Sequence, residues 1–179
     1  MRRPGRSLPF PHPPEIRLNK PLSTLFLACT FALPAIASAQ VAVQASPNQE
    51  QLLASKDARL AANKRLVYDF WREVLEGGHL ELADKFLTES YIQHNPNVPT
   101  GRAGFVKFFS QFAKAKPIDA HVKAPLVSIV ADGNLVVMSF VNEQADPKDP
   151  KKTYTTTSFD MFRIEGGKIA EHWDADTRQ

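Results

Sequence analysis

Cysteine is nearly missing: the chain of 179 residues has one, Cys29. It lies inside an apolar run, LSTLFLACTFALPAIA, that reads as part of an export signal. Once that signal is removed, the chain has no disulfide, no thiolate metal ligand and no cysteine nucleophile. A glycine-rich phosphate loop is also lacking, as are a compact metal-ligand motif and a Ser-His-Asp pattern in any familiar order. Net charge offers little more. The formal value is +3 with a pI near 9.0, yet five of the 22 basic residues (Arg2, Arg3, Arg6, Arg17, Lys20) and one of the 19 acids (Glu15) precede Gln40. The remainder holds 17 basic against 18 acidic residues, so no nucleic-acid footprint is expected.

What is present falls into three stretches. Residues 1–39 read as a signal peptide: a basic, proline-rich lead to Lys20, the apolar run broken by Pro34, and small residues at Ala37 and Ala39 before a cut after Ala39. The run is short for a membrane span, so the mature chain is expected in the periplasm or secreted, without a stable span; an uncleaved anchor is the alternative. Residues 40–55 read as a linker and 56–179 as one domain, in a chain that is 43% apolar, enough for a core.

Within the domain the hydrophobic period changes once. Leu66, Val67, Phe70, Trp71, Val74 and Leu75 recur at helical spacing up to Gly77-Gly78, which supply the stop. LELADKFL predicts a short second helix, Thr88 to Asn95 an extended segment, and GRAGFVKFFSQFAKA a third helix capped by Thr100, with Phe105, Phe108, Phe109 and Phe112 as its apolar stripe. After Pro117 come HVKAPLVSIVA, NLVVMSFVNE, TYTTTSFDMFRI and KIAEHWDA, strand-like and separated by DGN, the charged loop ADPKDPKK, and Gly166-Gly167. Helices followed by consecutively connected strands predict an α+β fold, an antiparallel sheet with helices on one face and a pocket between the layers.

The EGG helix end, YIQHNP, GRAGFVKFF and above all FDMFRIEGGKIAEHWD resemble the SnoaL-like polyketide cyclases of the NTF2-like superfamily, which also holds ketosteroid isomerase. The resemblance runs from Ala61 to the C-terminus. It implies an NTF2-like cone-shaped α+β barrel, a homodimer formed through the outer sheet face, an internal cavity for a small hydrophobic molecule, and no metal or organic cofactor. By position it places His94 or Asn95 near the isomerase's general base and Asp160 at its protonated oxyanion-hole aspartate. Asp174 resembles the cyclases' acid/base aspartate, and Trp71 falls about where the isomerase has its oxyanion-hole tyrosine. The histidine many members carry in the strand matching LVVMSFV is absent.

The residues themselves support a related chemistry. Alternation puts Ala170, His172 and Asp174 on one face of the last strand, and Ser158, Asp160 and Phe162 on one face of the strand before it. Burial raises a carboxyl pKa and a neighbouring carboxylate raises a histidine's, which moves both toward neutral pH. Asp174 is the candidate base, with His94, His172 or a protonated Asp160 as the donor to an enolate oxygen, and Trp71, Asn95 and Phe162 as substrate contacts. Aldol-type cyclisation or isomerisation of a small carbonyl compound is one reading. The alternative is a binding or dimerisation module in which His172 and Asp174 merely satisfy each other. A metal held by His94, His172 and Asp174 is a lesser expectation.

Overall fold

A computed structural model describes residues 40–178. The expected signal peptide, its cleavage point and Cys29 lie outside the described residues. Among the described residues no helix is long and apolar enough to cross a membrane.

Helix α1 (Gln49–Leu53) is followed by α2 (Ala58–Phe70), whose start is set by Asp57: its carboxylate accepts the backbone N–H groups of Arg59 and Leu60 at 2.8 and 3.2 Å. The helical spacing of Leu66 to Leu75 is therefore carried by α2 and then by a π-helical turn, Trp71–Glu76. Gly78 ends it at φ 74°, where an added Cβ would sit 2.5 Å from the carbonyl oxygen of Lys114. A single 3₁₀ turn (Leu80–Leu82) leads into α3 (Ala83–Phe86).

The extended segment joins the sheet. Strand β1 (Leu87–Gln93) pairs in parallel with the last strand, β5 (Lys168–Trp173), and β2 (Leu126–Asp132), β3 (Leu135–Asp146) and β4 (Asp149–Glu165) complete the order β1-β5-β4-β3-β2. The sheet is therefore mixed and open, without closure into a barrel, where four antiparallel strands were expected. Helix α4 (Arg102–Phe109) begins after Gly101, at φ 86°. Thr100 does not cap it; its hydroxyl accepts the Gln93 N–H instead, at 3.0 Å.

Two loop expectations change. ADPKDPKK is a long hairpin: Asp146 pairs with Asp149, and a bulge opposite Ala145 takes up Pro150, Lys151 and Lys152. Proline fits there because the arm beyond Val141 has no neighbouring strand to receive its missing N–H. Residues 40–55, read as a linker, are strapped onto the domain. Val43 N–H donates to Thr155 Oγ1, Ser46 N–H to the Leu126 carbonyl and Gln49 Nε2 to the Val122 carbonyl, while Leu53 is buried.

The core lies between the helices and the inner sheet face. Phe70 packs its ring 5.9, 5.8 and 6.3 Å from those of Phe86, Phe105 and Phe162, all buried. Of the α4 stripe, Phe105 is buried and Phe109 packs on it, whereas Phe112 lies past the helix end and is exposed. This aromatic layer forms one wall of the cavity.

Candidate functional site

A cavity of about 180 Å³ opens between α2, α4 and the sheet. Its apolar wall includes Phe70, Trp71, Leu75, Phe105 and Phe162, and its polar end consists of Tyr91, Gln93, Asn95, Asp160, His172 and Asp174. Adjacent strands deliver the polar set. His172 stands opposite Phe162 on β4 and beside Gln93 on β1, and the tight Gly166-Gly167 turn, with φ of 56° and 75°, sets that register.

Two backbone N–H groups fix the orientation of the two side-chain amides at this end. Asn95 N–H donates to Gln93 Oε1 at 3.0 Å, so that atom is the amide oxygen. His172 Nδ1, 2.8 Å from the same oxygen, must then carry a proton and donate it. The other ring nitrogen, Nε2, faces Asp160 Oδ1 at 3.1 Å. Gln93 Nε2 donates to the Tyr91 hydroxyl oxygen at 3.1 Å.

Asn97 N–H orients Asn95 in the same way, donating to its Oδ1 at 2.9 Å. That leaves Asn95 Nδ2 to donate to Asp174 Oδ2 at 2.7 Å and to Asp176 Oδ2 at 3.0 Å. Asp174 Oδ1 accepts the Asp176 N–H at 3.1 Å. Asp174 lies 4.0 Å from His172 Nδ1, so the two share a cavity without a hydrogen bond; the histidine's carboxylate partner is Asp160.

The expected residues are thus divided. Asp160, His172, Asp174, Asn95, Trp71 and Phe162 all line the cavity. His94 does not: it projects from the opposite side of the sheet, stacks on Trp173 at 4.9 Å with the rings 5° apart, and bonds Glu171 Oε1 through Nε2 at 2.7 Å. The cause is strand parity, since Gln93 and Asn95 point inward on either side of it. His94 therefore leaves both the catalytic and the metal-ligand sets. Glu171, which also accepts from Arg163 Nε at 2.7 Å, has its pKa lowered by His94 first and Arg163 second.

Trp71 stacks on Phe140 at 4.5 Å and serves as wall. Tyr91 and Gln93 were not singled out from the sequence, although the alternation Tyr91, Gln93, Asn95 on one side of an extended segment was a usable signal. Burial, followed by the charges of Asp174 and Asp160, pushes the Tyr91 pKa up, so its phenol keeps its proton. Asp160, His172 and Asp174 offer ligand atoms within 4.8 Å of one another and are the residues that could hold a metal ion. In the present arrangement both ring nitrogens of that histidine already have hydrogen-bond partners.

Residues 65–178 match the SnoaL-like polyketide cyclase family. The chain belongs to that family. Among solved structures, a candidate polyketide cyclase from Acidithiobacillus ferrooxidans is 20% identical, covering 68% of this chain and 89% of its own, with a TM-score of 0.46. TsrD from Streptomyces laurentii is 23% identical over 67% of this chain and 90% of its own, with a TM-score of 0.43. An LEH-like epoxide hydrolase from Mycobacterium tuberculosis is 14% identical over 65% and 83%, with a TM-score of 0.45. No curated protein shows a significant match to the chain. Membership of the SnoaL-like family supports a cyclase- or isomerase-type function.

Proposed function

We propose that this SnoaL-like protein carries out general acid–base catalysis, of the aldol-cyclase or isomerase type, on a small hydrophobic compound with an enolisable carbonyl. The observation that supports this reading most is the placement of Asp174 beside a hydrogen-bonded His172–Asp160 pair at the polar end of an otherwise apolar cavity. Asp174 takes a proton from the carbon beside the carbonyl and returns it, and Asn95 holds the carboxylate in place while it does so. The side chains supply the acid and the base, so the proposed steps call for no cofactor.

Exchange of carbon-bound protons in deuterium oxide, followed by NMR on a panel of small ketones and diketones, tests the reading. Exchange that is faster than buffer and lost in Asp174→Asn supports it. A panel that binds without exchanging favours the second reading, a non-catalytic binding module, which draws support from His172 already having partners on both nitrogens.

Two further parts of the proposal concern context. The pattern of residues 1–39 supports export to the periplasm or beyond. The outer sheet face supports a homodimer: Ile92, Val130 and Phe159 are exposed there, with Val137, Met161 and Trp173 only partly covered. Sedimentation of the mature protein tests the dimer.

A further inference from the structure

The acid–base reading requires a donor for the oxygen on which charge develops, and each expected donor is accounted for. His94 is on the far side of the sheet. His172 gives its Nδ1 proton to Gln93, and its Nε2 is engaged with Asp160. Tyr91 is different. It is 1% exposed, its ring is held edge-on by Phe105 at 6.0 Å, and the residue lines the cavity.

The hydrogen-bond direction derived above reaches Tyr91 as well. Because Asn95 N–H fixes the Gln93 amide, Gln93 presents an N–H to Tyr91, and the phenol oxygen can only accept from it. The Tyr91 proton therefore points elsewhere, and among the described residues it has no acceptor within hydrogen-bond reach. A buried hydroxyl with an unused proton is costly unless something in the cavity accepts it.

We propose that the Tyr91 hydroxyl is the oxyanion donor of this site, holding the carbonyl oxygen of the substrate while Asp174 takes the neighbouring proton. This rests on the acid–base reading. The C–H bond breaks toward Asp174, its electron pair becomes the new C=C bond, and the carbonyl π electrons move onto the oxygen that Tyr91 donates to. Tyr91 keeps its proton throughout, Asp174 becomes a carboxylic acid, and return of the proton to carbon closes the cycle. The same geometry assigns Gln93 as a positioning residue, which turns the phenol proton into the cavity. The ligand class that fits is apolar over most of its surface, with one oxygen that gains charge.

The test uses para-nitrophenolate as a stand-in for the enolate and para-nitrotoluene as a matched molecule without the oxygen. Asp174→Asn provides the background, imitating Asp174 after it has taken the proton. Adding Tyr91→Phe is expected to weaken phenolate binding about 10- to 100-fold while nitrotoluene affinity stays within about twofold. Unchanged phenolate affinity overturns the proposal.

A second measurement leaves Tyr91 intact. With the ring carbons bearing the three tyrosine hydroxyls labelled with carbon-13, phenolate but not nitrotoluene should shift the Tyr91 signal, and no shift overturns the proposal. Proton exchange separates the two ideas. Exchange lost in Asp174→Asn but kept in full by Tyr91→Phe defeats the donor and leaves the acid–base reading standing. If no carbonyl compound exchanges, the acid–base reading falls, and the phenolate result still decides whether Tyr91 is a ligand donor.

Discussion

His172 and His94 are two views of one residue type on opposite faces of the same strand pair. Each rests against an aromatic ring, Phe162 at 4.7 Å and Trp173 at 4.9 Å, and each bonds a carboxylate, Asp160 at 3.1 Å and Glu171 at 2.7 Å. Their surroundings differ. The His172 side chain is 10% exposed and that of His94 43%. On the outer face Arg163 balances Glu171; within the cavity lining no lysine or arginine balances Asp160 and Asp174. The comparison teaches that a histidine–carboxylate contact is common ground, and that enclosure without a balancing cation is what makes one of them chemically interesting.

The largest expected effect falls on the inner face. Asp174→Asn should lower proton exchange by roughly 10²- to 10⁴-fold with little change in melting temperature, and a loss confined to stability would erase the distinction between the faces. Next, His172→Leu strands Asp160 without its partner and should cost about 1–3 kcal/mol in a urea titration. His94→Leu on the outer face should cost less than about 1 kcal/mol, so equal losses would contradict the contrast.

Phe159→Lys adds charge to the exposed outer face. It should shift a dimer toward monomer by sedimentation without altering para-nitrotoluene binding inside; a change in ligand binding instead would mean the faces are coupled. The smallest effect concerns pH. His94 and Arg163 hold the folded-state pKa of Glu171 below its ordinary 4.5. The stability from this pair is therefore present above 4.5 and is lost as pH falls through the depressed value. Glu171→Gln should be less stable than the parent at neutral pH, with the gap closing in acid, and a gap that widened in acid would reverse the assignment.

Much of this arrangement was legible in the chain. Period-two alternation put His172, Asp174 and Asp160 on one side, and the change of period after Pro117 separated helices from strands. The family resemblance supplied the inward direction, which alternation alone leaves open. Other parts were hidden for physical reasons. Thr88 to Asn95 read as extended, but nothing local shows that an extended segment pairs in parallel with a strand nearly eighty residues later. His94 attracted attention because it is ionisable, while Gln93, which aligns the His172 ring, carries no charge and was overshadowed. The hairpin arm was read as a loop because its prolines and lysines are turn-like, and only its lack of outer neighbours makes a proline in that strand harmless.

The loop after β1 has a consequence for how the molecule meets copies of itself. Gly101 N–H donates to the Tyr91 carbonyl at 2.6 Å, and Thr100 takes the Gln93 N–H, so the free margin of β1 is occupied by its own chain. At the other margin, Ser46 N–H occupies the Leu126 carbonyl where β2 begins. Strand-by-strand extension past β1 is thus obstructed, and the start of β2 is engaged as well.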